Sequence, residues 1–103
     1  MMFIFSTYPN RTSARKATGL VVKKRFAGCV LTIPVGSIYQ WKGKIENAKE
    51  VLVIFKTTKG KARKLMEFLE AHHPYEVPFV AAMPLHQVNK TYREWLGREV
   101  DKQ

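Results

Sequence analysis

The sequence predicts an α+β fold, one antiparallel sheet with helices packed on it, and three observations carry that expectation. Apolar residues change period several times along 103 residues, from the continuous or alternating patterns of strands to the three-and-four spacing of amphipathic helices. The strand candidates, Phe3-Ile4-Phe5, Gly28 to Ile38, Val51 to Phe55 and Phe79 to Met83, are rich in β-branched and aromatic residues. Gly43 lies between the middle two and supplies a turn, which makes them a long hairpin.

Each element follows from its own residues. Phe3-Ile4-Phe5 opens a short strand that Pro9-Asn10 ends, and Asn10 or Thr12 offers a side-chain oxygen to cap the helix that follows. Ala14, Ala17, Leu20 and Val21 recur at helical spacing with Arg15, Lys16, Lys23 and Lys24 on the wet side, so the first helix is expected over about 12–26. The second strand is expected to bend at Pro34 and Gly36. Thr58 is placed to cap a second helix whose apolar face is Ala62, Leu65, Met66 and Leu69. Pro74 stops that helix, because a residue that precedes proline resists the helical region. Phe79 to Met83 forms the last strand, and Asn89 caps a terminal helix carrying Tyr92, Trp95 and Leu96.

The order β, α, β, β, α, β plus a terminal helix is the split arrangement of a ferredoxin-like βαββαβ sandwich, with two main helices on one face of the sheet. Three of the strands are apolar at consecutive positions, so their second face needs a cover as well. The terminal helix is too short to cover all of it, and the remainder is expected to meet other copies of the chain in a closed homo-oligomer. No internal repeat or linker interrupts residues 1–103, which are expected to form a single domain.

Composition narrows the partners. No apolar run approaches the roughly 20 residues that cross a bilayer, and Met1 to Phe5 lacks the basic flank of a signal peptide, so the expected compartment is the cytoplasm, without a membrane partner. A lone Cys29 excludes an internal disulfide and leaves a buried thiol, an intermolecular partner or a metal ligand. The net charge of +10 invites a polyanion, since the first acidic residue is Glu46. The basic residues, however, are scattered through helical patterns and not interleaved with aromatics, which argues against a nucleic-acid partner.

Several motifs together resemble the CutA divalent-cation tolerance family, in order and over nearly the whole chain. They are Ser6-Thr7-Tyr8-Pro9, Gly28-Cys29-Val30, Ile33-Pro34, the run Ser37 to Glu46, Lys56-Thr57, the block His73-Pro74-Tyr75-Glu76-Val77-Pro78, and Asn89 with Tyr92 and Trp95. The resemblance implies a CutA-like domain that forms a homotrimer by strand pairing between subunits, a role in tolerance to divalent cations, and binding of copper or another divalent cation. It implies no catalytic reaction. Some members of that family carry a cysteine where this chain has Ser6, the natural companion of the paired histidines there.

The candidate metal ligands are His72, His73 and Cys29. Adjacent histidines diverge by about 100° on a helix, so the two do not converge on one ion unless Pro74 lets one imidazole swing toward a strand or a neighbouring subunit. The structural alternative makes His73 a cap on the last helical carbonyls and turns His72 to solvent. A second candidate site is a cleft between subunits formed by Tyr39, Trp41, Lys56, Tyr75 and Glu76, where aromatic rings stack on a flat ligand or simply fill the hairpin tip. Lys44, Glu46, Glu50 and Lys56 are expected to form a salt-bridged network across the hairpin. Lys59, Lys61, Arg63 and Lys64 crowd the start of the second helix, where the dipole prefers anions.

Enzymatic readings lack a foothold: there is no Ser-His-carboxylate pattern, phosphate-cradling glycine loop or CxxC, and the expectation is a protein that is not an enzyme. The leading expectation is a trimeric divalent-cation tolerance protein that binds copper weakly. The alternative is a trimeric signalling or scaffold module with a small ligand in an intersubunit cleft, similar in fold to the nitrogen-regulatory signal-transduction trimers.

Overall fold

A computed structural model describes residues 1–101. The elements are β1 (Met2–Tyr8), α1 (Arg11–Lys23), β2 (Cys29–Trp41), β3 (Lys44–Thr57), α2 (Lys59–Ala71), β4 (Val80–Pro84) and α3 (Lys90–Asp101). The four strands form one sheet in the order β2-β3-β1-β4, antiparallel throughout, which is the ferredoxin-like arrangement that the sequence predicts.

Strand alternation decides what lies on each face. Ile4, Ser6 and Tyr8 of β1 and Val51, Val53, Phe55 and Thr57 of β3 are buried on the face that receives α1 and α2. Ala14 and Val21 of α1 and Ala62, Leu65 and Leu69 of α2 complete that core. Full burial of a residue such as Phe55 or Leu65 contributes about 1.5–3 kcal/mol. The opposite face carries Phe3 and Phe5, which pair in register with Lys56 and Ile54. There α3 covers one end: Leu96 and Val100 are buried, Tyr92 Oη meets Lys56 Nζ at 3.3 Å, and a Cβ on Gly28 would stand 2.6 Å from Leu96 Cδ1. Beyond α3, Leu31, Ile33, Phe79 and Met83 remain between 40% and 50% exposed, so one chain leaves that apolar face incompletely covered.

The hairpin is longer than the sequence patterns suggest. Residues 35–41 pair with 44–50 beyond the end of β1, and this arm stretches the molecule to 46 × 26 × 20 Å. Lys42 and Gly43 turn it with φ of 52° and 80°, the two successive positive values of a type I′ hairpin turn. The expected bend at Pro34 does not interrupt pairing, since Pro34 stays in register with Val51. Proline is tolerated there because β2 is an edge strand, where a missing N–H faces outward.

Helix ends differ in detail from expectation. Asn10, not Thr12, caps α1, its Oδ1 accepting from the Ser13 N–H at 2.9 Å. The helix stops at Lys23 and not at 26, because Arg25 adopts a φ of 60° and the N–H groups of Arg25 and Phe26 bond back to the Val22 and Val21 carbonyls. That is a Schellman closure with arginine in the position glycine usually takes. The Arg25 guanidinium reaches the Glu99 carbonyl at 3.0 Å, tying this corner to α3. Thr58 stands at the N-cap of α2, but its side chain makes no capping bond.

Candidate functional site

The end of α2 sends two neighbouring imidazoles in different directions. His72 is the C-cap, and its Nδ1–H donates to the Phe68 carbonyl at 2.9 Å. His73 turns inward, with Nε2 3.1 Å from Ser6 Oγ and its ring stacked on Tyr8 at 4.4 Å between centroids. This reverses the expected capping roles: His72 caps and His73 is the one that swings toward the sheet. The Tyr75 N–H donates to His73 Nδ1 at 3.1 Å, so a neutral ring carries its proton on Nε2 and donates it to Ser6. Burial lowers the His73 pKa below its usual 6.5, opposed by a hydrogen bond with the Thr7 backbone and by the Glu50 charge. Burial likewise raises the Tyr8 hydroxyl, opposed by its hydrogen bond with Ser6.

After Pro74 the chain wraps over the end of β1 to the opposite face. There Thr7, Tyr39, Trp41, Glu50, Tyr75, Glu76, Val77 and Phe79 line a cleft of about 380 Å³. Its polar centre is Glu50. One carboxylate oxygen accepts from Tyr75 Oη at 2.6 Å and the other from Ser37 Oγ at 2.6 Å. Burial, then the hydrogen bond to Glu50 and the charges around it, push the Tyr75 pKa well above its usual 10.0 and keep it a donor. Tyr39, Trp41 and Glu50 share a face because the register pairs Tyr39 with Glu46, Trp41 with Lys44 and Val35 with Glu50, positions separated by even numbers of residues along each strand.

Of the five residues expected at a cleft, four meet in this one, and Lys56 does not. It lies at the far end of the sheet, its Nζ donating to Tyr92 Oη and standing 5.0 Å from that ring. Glu50 takes its place, and Phe79, Val77 and Thr7 complete the walls; Glu50 pairs with Val35 and reaches Ser37 diagonally, two residues further along the partner strand. The expected salt-bridged network is not formed. Among the described residues the ion pairs are Arg25 with Glu99 and Arg63 with Glu67, while Glu50 bonds neutral hydroxyls and Lys56 a phenol.

The three candidate metal ligands do not converge within one chain. Cys29 pairs with Lys56, which pairs with Phe3, whereas His73 contacts Ser6. Two strands and three register positions therefore separate the thiol from that imidazole, about 14 Å along the sheet. Among the described residues no three His, Cys, Asp or Glu side chains gather as a metal site. Both His73 nitrogens are engaged, and the exposed His72 retains a lone pair on Nε2. The described residues of one chain thus assemble no enclosed metal centre.

A four-stranded antiparallel sheet in ferredoxin-like order, with a projecting hairpin arm and an aromatic cleft at its end, places the chain among small α+β domains. Residues 2–99 match the model of the CutA1 divalent ion tolerance protein, and the chain belongs to that family. Protein CutA of Mus musculus is 46% identical over 93 residues, 89% of this chain and 52% of that protein. This chain accordingly spans about half the length of the mammalian relatives. The divalent-cation tolerance protein CutA of Thermococcus kodakarensis is 36% identical over 97 residues and is covered to 93%. The crystal structure of CutA1 from Pyrococcus horikoshii superposes with a TM-score of 0.95 at 34% identity, covering 99% of this chain and all of that one.

Proposed function

We propose that this chain serves tolerance to divalent cations as a homotrimer that binds copper or another divalent cation weakly. Membership of the family supports the role, and the observation that carries the assembly is the sheet face beyond α3. Leu31, Ile33, Phe79 and Met83 stay 40–50% exposed there, next to an unpaired β2 edge. A second copy covers such a face at less cost than water does. In the cation reading His72 Nε2 is the available donor, and a neighbouring subunit supplies the others. Light scattering checks the assembly. Calorimetric titration with Cu²⁺ checks the ion: binding is lost in His72→Ala and retained in His73→Ala. Equal binding by the double variant removes the paired histidines from the reading.

The cleft favours a second reading, a trimeric signalling or scaffold module with a small ligand. Its support is the convergence of Tyr39, Trp41, Tyr75 and Glu76 on one concavity together with the Glu50 carboxylate.

A further inference from the structure

The cleft has a charge opposite to that of the protein. The chain carries 18 basic and 8 acidic residues, yet the cleft is lined by Glu50 and Glu76 and by no lysine or arginine. The Glu50 carboxylate is half buried, and both its hydrogen-bond donors, the Tyr75 and Ser37 hydroxyls, are neutral. Among the described residues no cation pairs with it, and its negative charge is solvated by these two hydroxyl dipoles. Around it stand the rings of Tyr39, Trp41 and Tyr75, and aromatic faces carry negative potential. One cation already sits near this wall from outside the cleft: Lys42 Nζ lies 5.8 Å from the Trp41 ring centroid.

We propose that this cleft binds a small organic ammonium ion, through the faces of its aromatic walls and the Glu50 carboxylate. Aromatic rings with a nearby carboxylate attract an alkylated cation more strongly than a hydrated metal ion, because the ligand sheds little water and offers apolar surface to the rings. The volume of about 380 Å³ suits a head group with a short chain. Glu76 is exposed at the rim and steers the approach of the cation without being desolvated itself. The inference rests on the cleft as a ligand site and is independent of the metal reading.

The test uses the full chain and follows the indole N–H resonance of Trp41, assigned with Trp41→Phe. Choline probes a quaternary head, n-butylammonium a primary one, and 3,3-dimethylbutan-1-ol is the uncharged isostere of choline. The expected result is a saturable shift of the Trp41 signal by at least one of the two cations, with the alcohol at least about tenfold weaker. Glu50→Gln keeps a carbonyl for Tyr75 and weakens the cation by about tenfold or more while leaving the alcohol unchanged. Trp41→Leu, at an exposed position, weakens the cation as well if read by the Tyr39 ring signals, and it guards against a fold defect in the Glu50 variant. Equal binding of choline and its alcohol isostere overturns the ligand class but leaves the cleft a ligand site. Absence of any saturable shift up to about 50 mM overturns both, since even millimolar sites saturate there.

Discussion

His73 Nε2 stands 3.1 Å from the hydroxyl of Ser6, a residue with no exposed surface, and this contact takes up the Nε2 proton of the neutral imidazole. With Nδ1 accepting from the Tyr75 N–H, the ring is held between one donor and one acceptor and has no nitrogen left for another task.

That arrangement sets a pH dependence. The folded-state pKa of His73 is lowered, so the unfolded chain binds the extra proton first as pH falls. The stabilisation is fully present above the usual value of 6.5 and is lost as pH drops below it toward the depressed folded value. Melting temperatures between pH 7.5 and 5 should fall for the wild type and flatten in His73→Gln. Equal slopes for both proteins exclude the contribution.

Replacing the hydroxyl by a thiol should change the metal chemistry. Ser6→Cys puts a soft donor against His73 Nε2, and Cu⁺ affinity, measured by competition with a chromogenic chelator, should rise at least about tenfold over the wild type. Zn²⁺ should gain too, and Mg²⁺ should not.

Tyr75→Phe removes the donor 2.6 Å from Glu50 and leaves that carboxylate with Ser37 alone. Urea denaturation should show a loss of about 1 kcal/mol, reduced from a fully buried charged hydrogen bond because the site opens to water. Ser37→Ala should cost a similar amount, and the double variant more than the sum, since Glu50 then has neither donor.

At the tip of the arm, Gly43 holds a φ of 80° with open space around it. Gly43→Val forces a β-branched residue into left-handed backbone at about 1–2 kcal/mol. The loss should appear as faster amide exchange over residues 38–47 with little change in the core, and Gly43→Asn should recover part of it.

Much of this molecule was legible because its patterns are local. The periods of β1, α2 and β3, the cap at Asn10 and the stop before Pro74 depend on neighbours within a few residues. The whole element order and the family follow from them. The reach of the hairpin was less visible: residues 44–50 are mostly polar, and only the partner strand, not the pattern, makes them β. Thr58 occupies a cap position without making the bond, because the residue type permits a contact that the local geometry does not use. The cleft was partly legible. Tyr39, Trp41, Tyr75 and Glu76 announce themselves as aromatics and a carboxylate among turn residues, whereas Glu50 and Lys56 exchange places because charge pairing across a hairpin depends on register that the sequence does not print. The histidine pair shows the same limit, since adjacency on a helix says that the rings diverge and leaves open which one meets Ser6.

The open edge of β2 runs thirteen residues, Cys29 to Trp41, without a single charged side chain. Short of one donor at Pro34, such an edge still pairs with extended backbone that reaches it, so the hazard for a solitary chain is fibrillar self-association. The surplus of ten positive charges works against that by keeping like molecules apart. Salt is therefore a control on colloidal behaviour: raising ionic strength shortens the range of the repulsion while leaving the edge as it was.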